Sequence, residues 1–352
     1  MVLKISRRVA LAALVFAVFA AGSGAGGAAM AQVEKPSIKF SQGWLFQATQ
    51  AQFPLADQKG YWKAEGLRVD VDRGSGSATS VQRVVSGTHD PAFADVGTII
   101  KWNAENPDKQ LMIVYVAEDA FPLGAFTLKK SGIAKPKELE GKKLGAPVFD
   151  GGRQMFPVFA GANGIDTAKV TWMSVDANLR EQMLAKGEVD AVTGFSTSVL
   201  PTLNSLGVKT ADLNVMRYKD FGVDGYGNAV FALKDFVEKN PKTVTVFVKG
   251  VNSAMKDLVS GPDAAIEALK VRDGLVNIPN ERARLTLYVE ELLLTDNVKK
   301  NGFSSVEIPK LDRSIADVLK TFNLNAKVTS AGMYTDKFLP PASERIPPAW
   351  KN

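Results

Sequence analysis

From residue 37 onward the chain alternates short apolar or alternating runs with stretches of helical spacing. Ser37-Ile38-Lys39-Phe40 reads as a strand, and a helix over residues 51–59 comes next, stopped by Gly60. Leu67-Arg68-Val69-Asp70-Val71 alternates like a strand with one buried face. Gly74-Ser75-Gly76-Ser77 opens a helix over 78–86 that Gly87 stops, and residues 92–96 form a short apolar strand. The cadence is β-α-β-α-β.

The same cadence returns about a hundred residues later, with strands predicted at 143–148, 170–175 and 191–194 and helices at 151–163 and 179–186. Details correspond as well. Phe53-Pro54 and Phe156-Pro157 each sit inside a first helix, and Gly87 with Asp90 is answered by Gly187 with Asp190. Strand-crossover-strand units bury parallel strands between helices, so two of them predict two α/β lobes with a cleft beyond the carboxyl ends of their strands. Extended runs at 125–128 and 229–232, both near glycines, are expected to cross between the lobes as a two-strand hinge. Lobe 1 is expected to hold 32–121 and 228–352, and lobe 2 to hold 122–227. Helices predicted over 243–258, 262–269, 280–294 and 311–322 are expected to cover lobe 1.

The amino terminus stands apart. Lys4, Arg7 and Arg8 precede an apolar run from Val9 to Ala21, and Ala29-Met30-Ala31 has the A-x-A form of a signal-peptidase site. The run is too short to span a bilayer, so residues 1–31 read as a signal removed after Ala31, with the mature chain in the periplasm. Those three basic residues, unaccompanied by acidic ones, bring the formal charge of +6 down to +3, which gives no reason to expect nucleic acid. With 45% apolar residues the 352-residue chain can bury a sizeable core. It has no Cys and one His, so thiolate and multi-histidine metal sites and cysteine nucleophiles are excluded, and no cofactor is expected. His89 falls in a turn before a strand. The His, carboxylates and serines form no catalytic set.

Position along the chain singles out candidate ligand contacts. Trp44 and Phe46 come just after the first strand, where an aromatic face can stack a planar ligand or simply pack beneath the loop. Gln50 and Gln52 offer donors and acceptors that suit a neutral heterocycle, or lie exposed. Ser75, Gly76, Ser77 and Thr79 present hydroxyls and amides at a helix start, to a ligand or only as a cap. In the matching place of lobe 2, Asp150, Gly152 and Arg153 can approach a ligand, with Arg153 able to pair with an anion or be held by Asp150. Asp95 can accept from an amino group, Phe195 and Ser196 hold its equivalent place, and Tyr226 and Asn228 lie at the return crossing.

Gly43-Trp44, Lys59-Gly60-Tyr61-Trp62-Lys63-Ala64-Glu65-Gly66-Leu67, Phe93-Ala94-Asp95-Val96-Gly97, the run from Lys135 to Gly145, and Gly187-Glu188-Val189-Asp190-Ala191 occur in the order typical of one family. Over about residues 38–259 the chain resembles the NMT1-like substrate-binding proteins of ABC importers for nitrate, sulfonates, taurine and thiamine-pyrimidine precursors. The resemblance implies a type II periplasmic-binding-protein fold and a monomer that clamps a small molecule and delivers it to an inner-membrane permease. Some family members instead make the thiamine pyrimidine with a cysteine-rich iron-binding segment and an active-site histidine. A chain without Cys departs from that pattern, which leaves a pyrimidine-related enzyme as the alternative, and a secreted sensor subunit as a third reading. A planar, nitrogen-containing or aromatic ligand is preferred over a small organic anion.

Overall fold

The computed structural model describes residues 32–350; the expected signal and its cleavage point lie outside them. Sheet 1 is built from β1 (Ser37–Ser41), β2 (Arg68–Asp72), β3 (Pro91–Asp95), β4 (Leu111–Val116) and β10 (Asn228–Leu233) in the order β2-β1-β3-β10-β4. Sheet 2 is built from β5 (Leu123–Leu128), β6 (Lys143–Ala146), β7 (Thr171–Ser174), β8 (Ala191–Phe195) and β9 (Leu213–Arg217) in the order β7-β6-β8-β5-β9. In each sheet one antiparallel strand is inserted into an otherwise parallel set. That strand, β10 or β5, is the one arriving from the other lobe. The extended runs expected to form the hinge therefore lie inside the sheets, and the passages themselves are the residues just ahead of them, at 117–122 and 222–227.

Helices α1 (Gln52–Gln58), α2 (Ser77–Val85), α3 (Val96–Glu105), α4 (Gly151–Ala162), α5 (Arg180–Lys186) and α6 (Ser196–Ser205) connect the strands. The internal repeat is structural as well as sequential. Gly87 and Gly187 end α2 and α5 with φ of +76° and +75°, a left-handed conformation that costs glycine nothing. Three residues later Asp90 exchanges bonds with Lys39: its amide donates to the Lys39 carbonyl and its carboxylate accepts the Lys39 amide. Asp190 does the same with Lys143, at 2.8 Å for both bonds. Each clamp holds the turn after a helix against the first strand of its repeat, β1 in sheet 1 and β6 in sheet 2.

Up to the end of β9, the strands and α-helices that sequence periodicity misses are α3, β4, α6 and β9. The strand expected to reach Val96 ends at Asp95, because the Asp95 carboxylate accepts the Thr98 amide at 2.8 Å and starts α3.

Beyond β10 come α7 (Lys234–Lys239), α8 (Pro241–Ser260), α9 (Pro262–Arg272), α10 (Ile278–Tyr288), α11 (Asp296–Asn301) and α12 (Ile308–Thr321). A five-residue π-helical turn, Val289–Leu293, prolongs α10. Helices α8 and α9 pack over sheet 1 through Phe247, Val251, Met255 and Leu269. Two others do not stay on that lobe. Helix α12 packs on both α3 and α4, and α10 reaches α6. Among the described residues no helix is long and apolar enough to cross a membrane.

Candidate functional site

A cavity with about 400 Å³ of empty space, its mouth included, lies between the two lobes. Its walls are built largely at the carboxyl ends of the strands: Gly43 and Trp44 beyond β1, Gly76 and Ser77 beyond β2, Glu118 beyond β4, Asp150 and Gly151 beyond β6, Arg180 beyond β7, and Phe195, Thr197 and Ser198 at the end of β8. Thr49 and Gln50, on a 3-10 turn (Ala48–Gln50), and Asn228 complete it. This is the crevice that open α/β sheets offer to ligands.

The lobes meet across it. The Phe149 carbonyl accepts the Ala78 amide at 3.3 Å, and the Ser198 hydroxyl donates to Gln47 Oε1 at 2.9 Å. The Arg180 guanidinium lies 5.3 Å from the centre of the Trp44 ring, a cation-π contact between lobes.

Carboxyl groups dominate the electrostatics. Burial pushes Glu118 up to about 7, against the hydrogen bonds it accepts from Asn228. Burial also raises Asp150, although Arg180, 3.0 Å away, pulls it down. For Arg180 burial works against the charge, but Glu181 and Asp150 outweigh it and hold the guanidinium above its ordinary range. The arginine is heavily engaged: Nε and Nη2 donate to Glu181 Oε1, and Nη1 to Asp150 Oδ2 and the Thr193 carbonyl. Four of its five N–H groups are thus committed within the protein. It is the only basic residue of the lining among the described residues.

Of the candidates named from sequence, the cavity brings together Trp44, Gln50, Gly76, Ser77, Asp150, Phe195 and Asn228. The others lie elsewhere, for identifiable reasons. Phe46 packs on the lobe 1 core with the Arg272 guanidinium over its ring. Gln52 points inward along α1 and is buried beside the Tyr288 hydroxyl. Ser75 donates to Thr79 on the outer side of α2. Asp95 sits behind the wall, fully buried and raised by burial, its carboxylate taken up by the Thr98 amide and hydroxyl. Gly152 faces β8, where a Cβ would lie 2.5 Å from the Gly194 amide nitrogen. Arg153 turns to the edge of lobe 2, donating to the Ala146 carbonyl and Ser174 and lying over the Trp172 ring. The Ser196 side chain is buried in the first turn of α6, its amide bonded to the Pro122 carbonyl. Tyr226 lines a separate, largely apolar hollow among α3, α4 and α12, and its hydroxyl accepts the Glu307 amide. His89 bonds Asp72 in its turn, away from the cavity.

Sequence reasoning missed Glu118, Arg180, Thr49, Thr197 and Ser198. The internal repeat held the signal for Arg180: α5 is the counterpart of α2, and each of these helices brings its first residue, Arg180 or Ser77, to the cavity wall.

A two-lobed α/β protein with a polar and aromatic cavity between its lobes is the architecture of a periplasmic binding protein. The sequence profile of the family described as "NMT1/THI5 like" matches residues 47–265, and the chain belongs to that family. It is 25% identical over 240 residues to a formylaminopyrimidine-binding protein of Halalkalibacterium halodurans, covering 67% of this chain and 70% of that one. It is 25% identical to a riboflavin-binding protein, RibY, of Chloroflexus aurantiacus, covering 62% and 61%. A 4-amino-5-hydroxymethyl-2-methylpyrimidine phosphate synthase of Aspergillus parasiticus is also 25% identical, over 65% and 69%. Among solved structures, the periplasmic nitrate-binding protein NrtA from Synechocystis PCC 6803 superposes with a TM-score of 0.68 at 13% identity, covering 90% and 92%. At that identity the likeness speaks for the fold alone.

Proposed function

We propose that this chain is the periplasmic solute-binding component of an ABC importer, closing on a small planar ligand that carries N–H donors and releasing it to a membrane permease. The carrying observation is the charge balance of the cavity: Glu118 and Asp150 face it, and the one arginine there is already engaged by Asp150 and Glu181. A nitrate or sulfonate would meet two carboxyl groups with little free cation to offset them, whereas a ring amine or amide finds acceptors. Trp44 and Phe195 supply aromatic surface for such a ring, and Gln50 and Asn228 supply adaptable amides. The two binding-protein relatives take their names from planar nitrogen heterocycles, formylaminopyrimidine and riboflavin, which supports the same reading.

In this reading the chain binds without turnover. The enzymes of the family use a cysteine-rich segment and a histidine; this chain has no cysteine, and its His89 is bonded to Asp72 outside the cavity. The signal-like residues 1–31 support export and release after Ala31 as an unanchored chain.

Native mass spectrometry of the protein isolated from the periplasm tests the proposal. The expected result is a stoichiometric adduct whose mass and absorbance identify a nitrogen heterocycle, recovered unchanged after prolonged incubation. A sulfonate or nitrate as the bound species would refute the ligand class, and conversion of the ligand into product would refute the binding-protein reading.

A further inference from the structure

Helix α10 joins the two lobes behind the cavity. Its Leu285 and Tyr288 lie in the core that covers sheet 1, whereas Leu287 packs against the core behind sheet 2. Between these contacts sits a buried ion pair, Glu281 and Arg284, with Nε 3.0 Å from Oε2. Its two members reach opposite walls of the cavity. Glu281 Oε2 accepts the Ala48 amide at 2.7 Å, at the start of the 3-10 turn that carries Thr49 and Gln50. Arg284 Nη1 donates to the carbonyls of Thr197 and Ser198 at 2.9 and 2.8 Å, and Nη2 to the Thr202 hydroxyl at 3.0 Å.

The availability of the Thr197 carbonyl has a cause in the sequence. Four residues on stands Pro201, inside α6, which has no amide hydrogen to donate back. Arg284 supplies that bond from another element. A buried ion pair is tolerable when every donor and acceptor is satisfied and costly when one side is withdrawn. Here full satisfaction requires both lobes in place, because the acceptors of the Arg284 Nη1 and Nη2 groups belong to lobe 2 and the Ala48 amide that donates to Glu281 belongs to lobe 1.

We propose that the Glu281–Arg284 pair is the latch of the closed protein. The two are positioning residues that set the facing walls of the cavity against each other without touching its contents. Separation of the lobes pulls α6 or the 3-10 turn from the pair and lets water replace them. Closure thus has a discrete bonded state that does not depend on which ligand is captured.

Because the chain has no cysteine, Ser75→Cys and Asn178→Cys, exposed residues on opposite lobes and outside the cavity lining, take one spin label each. Double electron-electron resonance on the full chain as isolated then reads the distance between lobes, and circular dichroism reads the fold. The expected result is a short distance in the labelled parent and a shift of about half or more of the population to longer distances in Arg284→Met and in Glu281→Gln. Pro201→Ala gives Thr197 a partner within α6. Combined with Arg284→Met it should restore melting temperature while leaving the lobes apart, and it carries the test should Arg284→Met alone fail to fold. A parent already open, single variants as closed as the parent, or a double variant that closes again would each overturn the latch. The last outcome would mean that Arg284 serves only the helix.

Discussion

Glu118, in the first inter-lobe passage, is bonded to Asn228, the residue of β10 at which the second passage ends: Glu118 Oε1 accepts from Asn228 Nδ2 at 2.9 Å, and Oε2 from the Asn228 amide at 2.8 Å. The backbones join as well, through the Gly227 amide to the Glu118 carbonyl and the Glu118 amide to the Asn228 carbonyl. Glu118 therefore belongs to the hinge and to the cavity wall at once. Its surroundings set its proton affinity: burial raises it, Asp95 adds to the rise, and the Asn228 donors oppose it.

That shift gives stability a definite pH slope. The folded chain keeps a proton to about pH 7 that the unfolded chain releases near 4.5, so the contribution is fully present below 4.5 and is lost as pH rises through about 7. At about 1.4 kcal/mol per unit the loss is about 3 kcal/mol. Glu118→Gln removes this titration and one of the two acceptors that serve Asn228, a cost that does not vary with pH, so its stability relative to the wild type should improve by up to that amount between pH 4 and pH 8 in urea unfolding. Parallel curves for the two proteins between these pH values would sink the assignment.

Arg180 and Arg153 should behave in opposite ways. Arg180→Met leaves Asp150 and Glu181 buried without their cation, which costs about 3–5 kcal/mol of stability. Arg153→Ala removes an edge contact over Trp172 and should cost about 1 kcal/mol or less, with ligand affinity unchanged. Equilibrium unfolding and calorimetry with the co-purified ligand measure both. A large affinity loss for Arg153→Ala alone would mean that the ligand lies outside this cavity.

Trp44→Ala should weaken capture of a planar ligand by about 2- to 12-fold from the loss of stacking, and further through lost buried area. Phe46→Ala should leave affinity intact, because that ring packs under Arg272 outside the cavity. Calorimetry on the pair decides. Equal losses would place both rings in the site.

These contrasts mark where the sequence was readable. The left-handed glycines Gly87 and Gly187 stop their helices within a few residues of chain, so the stops that delimit the repeat are written locally, and Asp90 and Asp190 mark it by their spacing from those glycines although their partners Lys39 and Lys143 stand 51 and 47 positions away. Asp95 was legible as a residue at the end of a strand, but whether its carboxylate serves a ligand or Thr98 depends on which way α3 turns away. Arg153 and Arg180 look alike in sequence, each at the start of a helix after a strand. Only packing decides that one turns to Trp172 and the other to Asp150. Glu118 was invisible for a different reason: its meaning comes from Asn228, more than a hundred residues on.

Gly76 marks the contact on which closure depends. A Cβ there would lie 2.2 Å from the Phe149 carbonyl oxygen, across the cleft, and the residue has φ of +133°, which L side chains rarely adopt. The neighbouring Ala78 amide donates to that same carbonyl. Gly76→Ala should therefore act on the approach of the lobes, since the clash exists only when Phe149 is near, while the sheets and their clamps keep their own contacts. Rotation can be absorbed at 117–122 and 222–227. In small-angle scattering the wild type, first freed of its co-purified ligand by unfolding and refolding, should shrink when a ligand that raises its melting temperature is added back, and Gly76→Ala treated in the same way should keep its larger radius of gyration at the same saturating concentration. A variant that contracts like the wild type would show that residues 76 and 149 do not limit closure.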